Sequence, residues 1–258
     1  MKLIVIPALC LAAAAFCQAR TMSCDDNNGG DRRFCEIRET TIASGGRLDI
    51  DGGVNGGIAV KGSDRSDVLI RTKVEVYRDD SADARRIASG IHIETAGGRI
   101  RATGPDPNGR HGWGVSFEIL APRNTDLVLH THNGGIDISD VRGHLQFEAV
   151  NGGLSLNHLA GSVEGRTTNG GVDLELAQDH WDGEKCDVST TNGGVTIRVP
   201  SNYSAHLETG TVNGGMRVDF PVTVQGELHH HLAVDLGAGG RLVRATTTNG
   251  GVSIERSM

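Results

Sequence analysis

A chain of 258 residues with 37 Gly and only 3% aromatic residues cannot fill a thick globular interior, so its core must be thin and built from Val, Ile, Leu and Thr. A formal net charge of -7, with both signs spread along the chain, offers no basic patch to a phosphate backbone and argues against nucleic acid as a partner.

The first residues read as an export signal. Lys2 gives a positive start, residues 3–16 an apolar stretch interrupted by Pro7, and Cys17-Gln18-Ala19 a small-x-small cleavage site. Residues 1–19 are therefore expected to leave as a signal peptide. The remainder would be exported to the periplasm, the outer cell surface or the medium. The apolar run is too short to span a bilayer comfortably and nothing later approaches one, so no transmembrane segment is expected after signal removal. Phe16 is bulkier than the residue that normally precedes a lipidated cysteine.

Of five cysteines, Cys10 and Cys17 belong to the leader. In an oxidising compartment Cys24 and Cys35 are expected to close a polar loop within the segment 20–36, which leaves Cys186 odd. That loop begins at Asp25 and has Glu36 in its twelfth place, a distant echo of a calcium loop. Gly29 in the fifth place and the lack of helical flanks favour a plain disulfide-closed loop. No cofactor is expected, calcium being the alternative.

Residues 37–122 are β-rich but irregular. Val68, Ile70, Thr72, Val74 and Val76 alternate, as do Trp113, Val115, Phe117 and Ile119 ahead of Pro122. Between them, residues 81–89 read as a short helix with Ser81 as its cap and Gly90 as its end. Residues 104–109 form a loop. This half is expected to close one end of a regular array over 123–258, the two making one domain over 37–258.

The array is marked by Asn-Gly-Gly, written at Asn55, Asn133, Asn151, Asn169, Asn192, Asn213 and Asn249, with steps from Asn133 of 18, 18, 23 and 21 residues. Such a period means one supersecondary unit stacked on copies of itself. Six, four and two residues before each Asn, the positions are small or apolar, as in Leu145, Phe147 and Ala149, or Val163, Gly165 and Thr167. Three and five residues after it stand pairs such as Leu154 and Leu156. Each copy is thus strand, corner, strand, with one face inward at period two. Asn-Gly is also a hairpin signal, and 140–143 or 157–161 could supply the second turn of a meander. The repetition of like positions in every copy favours a parallel β-solenoid with coils of about 18–23 residues and one short helix in its irregular N-terminal half. Corner Gly would take positive φ, and stacked Asn amides about 4.8 Å apart would bond along the axis.

The alignment places Cys186 in an inward column with Val163 and Leu207, as an inert buried thiol. The longer copies carry their extra residues at 178–185 and 200–205, where Trp181 and Tyr203 mark either a contact surface or rings that cap the tube. Five before the Asn, the outward column reads Glu164, Asp187, Glu208, acids that consecutive stacking would bring within about 5 Å, a candidate divalent-cation ladder. The outward sets Glu175, Arg198, Asp219 and His130, Glu148, Arg166 read as ion-pair ladders. Asp137 and Asp173 share a column two coils apart, about 9.6 Å, which touches the spacing of an inverting carboxylate pair. Ser155 stands between them and no cleft is evident in the sequence. His130 with His132, and the run His229, His230, His231, would suit a transition metal, but no Cys, Asp or Glu completes either set. Neither a phosphate loop nor a nucleophile with a recognisable partner appears.

The leader, the Cys-containing start, residues 125–138 (TDLVLHTHNGGIDI) and their echo at 203–218 resemble the bacterial putative-adhesin family of domains of unknown function, over nearly all of the mature chain. The resemblance implies an exported β-solenoid-like domain and brings no catalytic residues. The expected function is a non-catalytic adhesin-like repeat protein of the cell envelope that binds an envelope protein or a surface glycan. The alternatives are a carbohydrate-active β-helix lyase or hydrolase, and a divalent-cation-binding repeat protein.

Overall fold

The computed structural model describes residues 22–24, 33–78, 80–105, 112–220 and 230–257. The leader, most of the interior of the Cys24–Cys35 loop, most of the 104–109 loop and His229 lie outside the described residues.

The protein is all-β with one α-helix among the described residues. Its first half contains β1 (Arg33–Ala43), β2 (Arg47–Asp51), β3 (Ile58–Ser63), β4 (Asp67–Tyr77), α1 (Ser81–Ser89), β5 (His92–Glu94), β6 (Arg99–Thr103) and β7 (Trp113–Pro122). The repeats then follow as strand pairs: β8 (Asp126–Asn133) with β9 (Ile136–Ser139), β10 (Arg142–Asn151) with β11 (Leu154–Asn157), and β12 (Ala160–Asn169) with β13 (Val172–Glu175). Next come β14 (Lys185–Asn192) with β15 (Val195–Val199) and β16 (Ala205–Asn213) with β17 (Met216–Val218). The chain ends with β18 (His231–Leu236) and the pair β19 (Leu242–Asn249) and β20 (Val252–Arg256).

Two ten-stranded sheets result. Sheet 1 runs β1-β4-β7-β3-β9-β11-β13-β15-β20-β17, and sheet 2 runs β18-β16-β19-β14-β12-β10-β8-β2-β6-β5. The first strand of every repeat joins sheet 2 and the second joins sheet 1, so each Asn-Gly-Gly turns the chain from one sheet to the other and each strand pair forms a rung. Rungs stack in parallel with like on like: Leu145 faces Val163, Ala149 faces Thr167 and Asn151 faces Asn169. Alternate residues point between the sheets, where Leu127, Leu129, Ile138, Leu145, Leu156, Val163 and Ile197 are fully buried. The apolar core is one continuous cluster, mostly of Val, Ile and Leu, into which a few rings such as Phe117 and Phe147 are fitted.

The order of the last rungs differs from the order in sequence. Asn192 neighbours Asn249, and Asn249 neighbours Asn213, because β19–β20 is inserted between β14–β15 and β16–β17. Antiparallel β18 lies against β16 and takes the terminal place in sheet 2. The first half is also more regular than expected, since β2 and β3 form a rung in register with β8 and β9. Beyond it, sheet 1 gains β7 in parallel and β4 and β1 antiparallel, while sheet 2 gains β6 and β5. Helix α1 is capped by Asp80 rather than Ser81, with the Asp80 carboxylate accepting from the Ala82 N–H at 2.7 Å. At its far end Arg38 of β1 donates to the carbonyls of Ala88 at 2.8 Å and Ile91 at 2.6 Å.

The corner glycines serve a different purpose from the expected one. Gly134, Gly152, Gly170 and Gly193 do not adopt positive φ. A Cβ on Gly152 would instead stand 2.0 Å from the carbonyl oxygen of Gly134 in the neighbouring rung. Rung-to-rung crowding, not a left-handed backbone, demands Gly. Left-handed residues occur at the opposite corner, at Asp140 (φ 58), His158 (φ 55) and Gln178 (φ 63).

Candidate functional site

The seven corner Asn residues form one continuous chain of amides. Asn133 donates to Asn55 at 3.1 Å, and Asn151 to Asn133, Asn169 to Asn151, Asn192 to Asn169, Asn249 to Asn192 and Asn213 to Asn249, each at 2.8 Å. Beneath five of them a Thr two residues earlier donates to the first corner Gly carbonyl of the adjacent rung, as Thr167 does to Gly152 at 2.7 Å and Thr247 to Gly193 at 2.7 Å. The corners are therefore structural, tying rung to rung along one edge.

Beside this edge, on the outer face of sheet 1, runs a trough of about 750 Å³. Its floor is the column of second corner glycines, Gly57, Gly135, Gly153, Gly171 and Gly194, whose missing side chains leave backbone exposed. One flank carries Ala59, Asp137, Ser155, Asp173 and Thr196, and Met22 and Ser116 also line the trough. Asp137, Ser155 and Asp173 occupy successive rungs in direct register. A shallow, open trough that the sequence did not reveal is thus present, and both carboxylates line it. The signal was the second Gly of each motif, which alternation places outward. Asp173 is paired to Arg198, whose guanidinium is held more basic by that hydrogen bond.

The outer face of sheet 2 carries the charged columns. The expected contiguous run Glu164, Asp187, Glu208 is broken, because rung insertion places Arg244 between Asp187 and Glu208. Arg244 Nε donates to Asp187 at 3.0 Å and its guanidinium lies 3.9 Å from Glu208. Glu164 is paired with Lys185, which that hydrogen bond makes more basic. Next to it, Arg166 donates to Glu148 at 2.8 Å and holds that carboxyl below the usual glutamate range. His130 faces Glu148 in register, so the alternating ladder read from the sequence is in place. In sheet 1 the second ladder becomes Glu175, Arg198, Glu255, with Asp219 beyond. Among the described residues no three His, Cys, Asp or Glu side chains gather in a metal-binding arrangement.

The two aromatic rings of the long repeats face inward and present no contact surface themselves. Trp181 and Tyr203 are buried, and Trp181 donates its indole N–H to the Gly161 carbonyl at 3.2 Å. The two insertions fold over the edge and bridge each other, the Ser204 N–H donating to the Asp179 carbonyl at 2.7 Å. Burial of a ring beneath this flap is the cheaper solution for a core short of apolar volume. Cys186 is fully buried between Val163 and Val243, with burial pushing its thiol well up. Cys24 and Cys35 are joined in a disulfide with a Cα separation of 5.8 Å. His206 pairs with Asp235 at 2.7 Å, which raises its pKa.

Residues 115–255, more than half of the chain, match the model of the family described as Toastrack DUF4097. No curated protein matches the sequence. Solved structures to which the chain shows similarity include a putative cell adhesion protein from Clostridium sporogenes, 12% identical, covering 87% of this chain and 100% of its own with a TM-score of 0.45. Another is a putative adhesin from Parabacteroides merdae, 10% identical, covering 89% of this chain and 98% of its own with a TM-score of 0.41. Among the described residues no helix is long and apolar enough to cross a membrane.

Proposed function

Because the chain belongs to the Toastrack DUF4097 family, we propose that it is an exported, non-catalytic, adhesin-like module of the bacterial cell envelope. In this reading the two sheets are opposite walls of one parallel β-solenoid with coils of 18–23 residues, and the outer face of sheet 1 is the contact surface. The observation that carries it is the trough, a single axial groove in which Asp137, Ser155, Asp173 and Thr196 repeat at rung spacing. A repeating polar edge about 4.8 Å apart over a bare backbone floor suits an extended ligand such as a surface glycan. Charges on the outer face of sheet 2, among them Glu148, Glu164 and Asp187, are taken up in cross-rung ion pairs, which reads as scaffold rather than chemistry. Binding of the exported chain to a panel of envelope glycans should be abolished by Ser155→Trp, which fills the trough. Undiminished binding by that variant would move the contact surface elsewhere.

A carbohydrate-active enzyme is the second reading, favoured by the placement of Asp137 and Asp173 in the same trough two rungs apart. Glycan cleavage that disappears in the Asp137→Asn/Asp173→Asn double variant would establish it. A cation-binding role through Glu164, Asp187 and Glu208 is tested by calorimetric titration with calcium.

A further inference from the structure

Met22 enters the lining of the trough from outside both sheets. It is half-buried and belongs to the same lining as Ser116, Gly57 and Ala59. Yet the strand to which it is tied, β1, lies at the far edge of sheet 1, beyond β7 and β4. The tie is the Cys24–Cys35 disulfide. Cys35 faces Glu75 of β4, and Glu75 faces Gly114 of β7, so the anchor sits two to three strand spacings from the near end of the trough, about 10–14 Å. The stretch from Cys24 to Met22 reaches about 7 Å when extended, which together with the 5.8 Å spanned by the disulfide covers that distance with little slack. The strap thus crosses the strands in the stacking direction, the direction in which the trough itself runs. Methionine is suited to such a seat, being unbranched, apolar and able to follow an irregular surface. From Gly57 to Gly194 the floor extends four rung spacings, about 19 Å, so a strap of that reach from Cys35 covers only its near end.

We infer that the trough is a docking groove for an extended chain, and that its resident occupant is the protein's own N-terminal strap, residues 22–24, which plugs the end next to β7 and is clamped there by the Cys24–Cys35 disulfide. The inference deepens the reading of the trough as the contact surface and rests on it. A ligand that runs the full length of the groove displaces Met22, whereas one confined to Gly135 through Gly194 does not.

The test is oxidation of Met22 in the exported full chain by dilute hydrogen peroxide, followed by mass spectrometry, a measurement that needs no ligand. Conversion to the sulfoxide should be roughly three-fold or more slower in the disulfide-bonded protein than in the Cys24→Ser/Cys35→Ser variant, with circular dichroism confirming that both are folded. Equal rates overturn the strap. A second variant keeps the disulfide: Ala59→Trp, on the outer face beside the seat, should expel Met22 and raise its oxidation to the same extent. Undiminished protection in that variant likewise overturns the proposal. Failure of the contact-surface reading would look different, as ligand binding indifferent to Ser155→Trp while Met22 stays protected.

Discussion

Gly165 stands in the inward column between Phe147 and Val188, and a Cβ there would lie 1.8 Å from the Phe147 ring. The thin core accommodates its one ring in this layer by leaving the next position empty. Gly165→Ala should therefore cost about 1–3 kcal/mol in urea unfolding, with most of the loss recovered when Phe147→Leu is added. The Asn ladder obeys a smaller scale. Asn169→Ala removes the bond it donates to Asn151 and the one it accepts from Asn192, both exposed, and should cost about 1 kcal/mol. His206 makes stability depend on pH. Its folded pKa is raised chiefly by the hydrogen bond to Asp235, so its contribution is complete below the ordinary value of 6.5 and is lost as pH rises through the higher folded value. Urea midpoints between about pH 5.5 and 8.5 should fall less steeply in His206→Gln. The exposure of the pair keeps that difference small.

Elements follow the repeat except where equivalence leaves a choice. Every rung offers its neighbours the same inward pattern and the same corner, so alignment fixes register without fixing which rung lies beside which. The expected neighbours Asp187 and Glu208 would have faced each other as like charges; the rung carrying Arg244 fits between them instead. Antiparallel pairing of β18 to β16 has the same consequence, because it commits the outer edge of β16 and leaves its inner edge for β19. Arg244→Glu would line up four carboxylates, with Glu164, Asp187 and Glu208, and should lower stability by about 1 kcal/mol, more at low than at high salt in parallel denaturant titrations. The end strands resisted reading for a related reason. Alternation in β4 and β7 showed that they are strands, but an antiparallel strand and a parallel one bury alternate residues alike.

The whole molecule is a stack whose interior rung is supplied by its C-terminus. A chain ending at residue 241 would lack β19 and β20 and leave β14–β15 separated from β16–β17. It should melt well below the full chain and lose the single calorimetric transition, since stacked repeats are stabilised by their neighbours. By itself the sequence determined the unit, its inward and outward faces, its register, the burial of Cys186 and the amide ladder, because these follow from period-two alternation and a repeated corner. Only the tertiary structure decided the order of the last rungs, the burial of Trp181 and Tyr203, the reason for the corner glycines and the existence of the trough. Each of these depends on what an adjacent rung places within a few ångströms, and strand alternation carries no information about which rung that is.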